Sequence, residues 1–216
     1  MYPIARSGFI EYDRVLFFTD AVFAIAITLL AVELHVPENS KLTFGQQLNA
    51  ASPSLIGFGI SFAVIALFWL GHHGIFRYIT ALDRPLIGLN MLFLGTIAFL
   101  PYPTALLSSH SFQHGGAVIF YAICAGGAGA CEAAIWLWAI RRGSELTSPS
   151  VDKVKFAYTL RILRVPVVFA ISIPIAIVAP RVAPFTWILI SVTGIAINRL
   201  APRPDPPEQI GEQIRS

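Results

Sequence analysis

The first long apolar run of this chain carries Arg14, Thr19, Asp20 and Thr28, and later apolar runs carry His72, His73, Asn90 and Glu132. Ionisable side chains inside a bilayer are costly, so each needs a partner or a task. Arg14 and Asp20 are six residues apart and do not stack on an ideal helix, which directs both towards other helices. With Thr19, His72, His73 and Asn90 they have the chemistry of one buried network, serving either as glue between helices or as an ion-binding cluster. Glu132 has no sequence-local partner and reads as an interhelical hydrogen-bonding group or a proton relay. A second pattern has different chemistry. Ile25, Thr28, Leu29 and Val32 recur at helical spacing on one stripe. Packing or lipid contact accounts for such a stripe, and so does a pore wall. Several copies around an axis would set Ile25 in a hydrophobic ring and Thr28 in a ring of hydroxyls one turn further on. Apolar rings gate by dewetting, and polar oxygens partly replace an ion's hydration shell.

Other chemistries find little support. The sequence contains no P-loop, no HExxH and no TVGYG-like filter. His72 and His73 fall at the opposite membrane face from His110 and His114, so the four are not read as a zinc site. Cys124 and Cys131 lie seven apart on one helical face and read as small buried residues, with no disulfide framework or metal cluster implied. Gly126, Gly127 and Gly129 predict close helix packing.

These groups sit in a chain built for a bilayer. It has 216 residues, 56% hydrophobic and only 12% charged, with a mean hydropathy of +0.70. A soluble domain would carry about twice that charged fraction. A span needs roughly 20 apolar residues. Six segments are about that long: 14–34, 53–76, 85–107, 116–140, 156–179 and 183–200. Pro37 ends the first, and Pro166 and Pro174 are expected to bend the fifth. The first run is long for a signal sequence and lacks a small-residue cleavage site, so it is read as a retained span. Open backbone cannot face lipid, and the alternation of barrel strands is missing, so the spans are predicted to be helices. Residues 1–200 are read as one six-helix transmembrane domain and the Pro-rich, charged stretch 201–216 as a disordered tail. Thirteen Lys and Arg residues flank one set of span ends, while only Lys41 and Arg181 flank the other. That asymmetry predicts both termini in the cytoplasm. It also explains the net charge of +3 without nucleic acid.

The stretch from Arg14 through Phe18, Thr19 and Asp20 to Thr28 closely resembles the RxxxFSD signature of the lysosomal potassium channel family and its bacterial relatives. Trp69-Leu70-Gly71-His72 resembles that family's W-x-x-H element. Leu89-Asn90 and Phe99-Leu100-Pro101 resemble its L-N and F-L-P elements. The resemblance covers roughly residues 10 to 108, whereas the last three spans resemble the family only in number and hydropathy. Thr19 stands where the family usually has Ser, and Val32 is less bulky than the Leu often found there.

The resemblance implies an all-α, six-span subunit of a homotetrameric cation channel without a P-loop filter, lodged in a plasma membrane and permeable to K+ with no other cofactor. It is not an enzyme. The pore is lined by the first helix of each subunit. The family's hydrophobic constriction maps onto Ile25 and its selectivity-linked hydroxyl layer, near which K+ passes, onto Thr28. Leu29 and Val32 match further pore-facing positions. Arg14, Phe18, Thr19 and Asp20 match the signature network, with support from His72 and Asn90. Other monovalent cations and the bilayer itself are the remaining expected partners. Two other classes compete on the residues alone: a proton-coupled transporter using Asp20, Glu132 and His72, and a structural membrane subunit that conducts nothing.

Overall fold

The computed structural model describes residues 5–34, 43–109 and 112–200. Every named element in them is a helix: α1 (Ala5–Val32), α2 (Phe44–Phe76), α3 (Arg84–Phe99), α4 (Pro101–Ser109), α5 (Gly115–Arg142), α6 (Val151–Val178) and α7 (Ile188–Leu200), with single 3-10 turns at Gly143–Glu145 and Ala183–Trp187. Five stretches are long and apolar enough to cross a membrane, counting Arg84–Ser109 as one. The sixth expected span is shorter, since Ala183–Ile197 forms a 3-10 turn running into α7. The predicted tail 201–216, together with Lys41 and His110, lies outside the described residues.

The helix ends follow from local chemistry. α2 starts nine residues before the expected Pro53. A capping box at Thr43 and Gln46 satisfies its first free N–H groups. Asp83 caps α3, accepting from the Leu86 N–H at 2.9 Å, with Pro85 in the first turn. The same carboxylate accepts from the Trp138 indole at 3.1 Å and stands 3.9 Å from Arg142, which ties the start of α3 to the end of α5. The third expected span is interrupted at Leu100, and Pro101 opens α4 there, because proline cannot donate into the preceding turn. α6 runs through Pro166 and Pro174 without interruption.

Lipid tails are as apolar as leucine, so shape complementarity must hold such helices together. The broadest contact is between α5 and α6. A Cβ on Gly129 would lie 3.0 Å from Pro166 and Val165, and one on Gly126 would lie 3.1 Å from Phe169, whereas Gly127 faces open space. Two of the three glycines singled out in the sequence therefore let α6 approach. Buried hydroxyls add a second tie: Thr104 on α4 donates to Ser61 on α2 at 2.7 Å, and Ser61 is 3.0 Å from the Tyr121 hydroxyl on α5.

Two turns meet at one end of the bundle. Thr80 N–H donates to Leu146 O at 2.8 Å and Ser148 N–H to Tyr78 O at 2.9 Å, forming an antiparallel bridge at Ile79 and Thr147. The Tyr12 hydroxyl reaches the same place, with Phe76 O at 2.8 Å and Ile79 O at 2.9 Å. At a separate position Arg181 donates to Gln113 at 2.8 Å, joining the α4–α5 and α6–α7 turns. The start of α1 thus shares an end with the α2–α3 and α5–α6 turns, as an alternating up-and-down path requires.

Candidate functional site

α1 has two faces. Thr19, Phe23, Ala26 and Leu30 follow one another at intervals of four, three and four residues and are all buried, at 2% exposure or less. Round the helix from them, Ile25 is 58% exposed, Leu29 43% and Val32 69%, and Thr28 is also exposed. The single subunit therefore leaves the whole stripe uncovered. The Thr28 hydroxyl donates to Ile25 O at 2.9 Å. Its proton is thereby engaged with its own helix, and its remaining lone pairs face outward as acceptors.

The buried face of α1 is clasped to α2 and α3 by a directed chain of hydrogen bonds. His72 Nε2 lies 2.8 Å from Asn90 Oδ1, Asn90 Nδ2 donates to Thr19 Oγ1 at 3.1 Å, and Thr19 Oγ1 donates to Val15 O at 2.9 Å. Because Asn90 Oδ1 can only accept, His72 carries its proton on Nε2. The imidazole is stacked against Phe76, with centroids 4.2 Å apart, and lies parallel to Phe93 at 5.5 Å. All three polar residues are at most 2% exposed. A buried polar chain with every member satisfied fixes the register of three helices.

Asp20 belongs to a different arrangement. It is exposed, and it accepts from Trp69 Nε1 at 2.9 Å on the outside of the subunit. Trp69 in turn stacks on His73, with ring centroids 5.5 Å apart. Arg14 and Phe18 are exposed too. The expected single network of Arg14, Thr19, Asp20, His72, His73 and Asn90 is thus divided. Helical rotation of about 100° per residue sets Arg14 about 140° round from Thr19, which takes it away from the buried clasp.

Glu132 is 2% exposed on α5 and lines an interior cavity with Arg161 and Arg164 of α6. Both arginines lie within the span Val151–Val178. α6 begins five residues earlier than expected, which sets 161 and 164 about three and nearly four turns from its start. Two arginines three residues apart beside an apolar run were the available signal, since such a pair shares one helical face. Among the described residues no group of His, Cys, Asp and Glu is placed to hold a metal ion.

The fold and the site together define a polytopic helical membrane protein whose first helix is clasped on one face and bare on the other. A family described as "Endosomal/lysosomal potassium channel TMEM175" matches residues 14–101, the stretch that contains both the clasp and the stripe. A potassium channel of Streptomyces collinus is 37% identical over 147 residues, covering 66% of this chain and 70% of that protein. A potassium channel of Chamaesiphon minutus is 41% identical over 103 residues, which span 46% of this chain and about half, 51%, of that one. The crystal structure of a lysosomal potassium-selective channel TMEM175 homolog from Chamaesiphon minutus superposes with a TM-score of 0.76 at 27% identity, covering 87% of this chain and 98% of that chain. The chain belongs to the TMEM175 family of potassium channels. Its relatives are channels and not enzymes.

Proposed function

We propose that this chain is one subunit of a homotetrameric, potassium-permeable channel in a plasma membrane, with both termini in the cytoplasm, and that its pore is walled by α1 from four copies. The observation that carries this reading is the uncovered stripe of Ile25, Thr28, Leu29 and Val32 on a helix whose opposite face is buried. Ile25 forms the narrowest ring, where an apolar wall resists wetting and limits flow. The Thr28 ring, one turn on, presents hydroxyl oxygens to a passing cation and favours K+ over Na+. The His72–Asn90–Thr19 chain holds each α1 at a fixed rotation, so that the stripe points at the axis. Conduction is passive, and K+ is a permeant ion, not a resident cofactor.

The transporter alternative draws less support. Its residues Asp20, Glu132 and His72 face Trp69, the α5–α6 cavity and Asn90 respectively, so they do not converge on one substrate site. The test is reconstitution of the full chain in liposomes under a K+ gradient, paired with single-cysteine crosslinking at Ile25 and at Val32. K+ flux together with crosslinked dimers at both positions is expected. Well-folded tetramers that carry no flux would sink the channel reading, and stripe cysteines that never crosslink would remove α1 from the axis.

A further inference from the structure

Behind α2, away from the stripe, lies a polar site whose charged side chains all come from residues beyond the family match. Glu132 Oε1 is buried and receives no hydrogen bond, and neither Nε nor Nη1 of Arg164 finds an acceptor. All three atoms belong to residues that line one cavity of about 40 Å³ between α2, α5, α6 and α7. Two glycines make the space. A Cβ on Gly71 would stand 2.4 Å from Glu132 Oε1, and one on Gly194 would stand 2.6 Å from the Arg164 guanidinium. Any side chain at either position would fill the volume the charged groups occupy.

Buried polar atoms left unpaired cost about 1–3 kcal/mol each, and more when charged. Three in one small cavity call for an occupant that donates to a carboxylate and accepts from a guanidinium. Water does both, and a cavity of this size holds a few molecules by the rule of roughly 10–15 Å³ for each. The cavity's charged and titratable lining is Glu132 from α5 and Tyr158, Arg161 and Arg164 from α6. α2 and α7 contribute only apolar residues and Gly71 to its wall.

We propose that this cavity is a hydrated proton-binding site, in which water bridges Glu132 to Arg164 and exchanges a proton with the Glu132 carboxylate. Hydronium gives up one O–H bond, an O–H bond forms on the carboxylate, and neutral water remains. The inference is independent of the pore reading, because it needs neither a tetramer nor ion flux.

Infrared difference spectroscopy on the full chain in bilayers, between acidic and alkaline buffer, tests it. A protonated-carboxyl stretch is expected to appear on acidification, to shift in D2O, and to vanish in Glu132→Gln. A spectrum unchanged by that substitution overturns the assignment to Glu132, and a Glu132 band insensitive to D2O overturns the hydration. If Glu132→Gln does not fold, Glu132→Asp keeps the acid one methylene shorter. Its band should move in frequency, and a band that stays fixed would equally reject the site. Gly71→Ala should displace the same band by crowding Oε1, and no displacement would show that the carboxyl seen is elsewhere.

Discussion

Trp69 donates its indole N–H to Asp20 at 2.9 Å on the subunit's outer surface, while His72, one turn further along α2, points inward to Asn90. α2 therefore holds α1 directly from outside and, through Asn90 of α3, from within. The outer grip is expected to matter more for assembly than for the fold of a single subunit. Hydrogen bonds between membrane helices average about 0.6 kcal/mol. Trp69→Phe should lower subunit stability by about that much and reduce tetramer yield, measured by size-exclusion light scattering. Asp20→Asn keeps an acceptor oxygen and should do less. A loss of monomer folding as large as that from breaking the inner grip would contradict this division.

The inner grip has the larger energetic stake. Asn90→Leu leaves the buried His72 N–H without an acceptor and Thr19 without a donor, at a cost of roughly 2–4 kcal/mol. Thr19→Ser keeps the hydroxyl that accepts from Asn90 and should stay within about 1 kcal/mol of the parent. Thermal unfolding of both variants in detergent measures the contrast, and equal effects would show that the methyl of Thr19 outweighs its oxygen.

Thr28→Ala and Thr28→Val both remove the ring oxygen, and both should lower K+ preference over Na+. Thr28→Ser should preserve it. Reversal potentials under mixed ions decide the matter, and unchanged values in the first two variants would relieve Thr28 of any selective role.

Ile25→Ala should widen the narrowest ring and raise K+ flux while weakening discrimination among cations. The residue is exposed in the single subunit, so subunit folding should be nearly unaffected. A fall in flux with intact tetramers would place the constriction elsewhere on the stripe.

Gly129→Val tests the core instead of the pore. Cβ atoms at 3.0 Å from Pro166 and Val165 force α5 and α6 apart. Overpacking of this kind costs about 1–3 kcal/mol. Gly127→Ala, which meets open space, serves as the control and should be near neutral in the same unfolding assay.

Much of this was legible beforehand because membrane helices announce themselves by length and by the prolines and arginines at their ends. The stripe on α1 could be read because its period is that of a helix. The start of α2 at Phe44 is hidden in the sequence because residues 44–50 include Gln46, Gln47 and Asn49 and do not look like a span. The capping signature at Thr43 and Gln46 was nonetheless present. The meeting of Glu132 with Arg161 and Arg164 at one cavity was beyond reach. It depends on how α5 and α6 are rotated against each other, which glycine contacts set and periodicity does not encode. The division of the signature residues into a buried clasp and an outer pair had the same origin: spacing tells which residues share a face of α1, but not which face α2 covers.

The two hydrogen bonds of the Tyr12 hydroxyl have a mechanical meaning. They tether α1 at Tyr12 to the turn after α2, and that turn is bridged to the one after α5. A rod anchored at one end moves by swinging about the anchor, and its travel grows with distance along it. At 1.5 Å rise per residue, a swing of about 5° would carry Val32 roughly 3 Å but Phe18 less than about 1 Å. In a tetramer of the kind proposed, the same swing would open the Val32 end further than the Phe18 end.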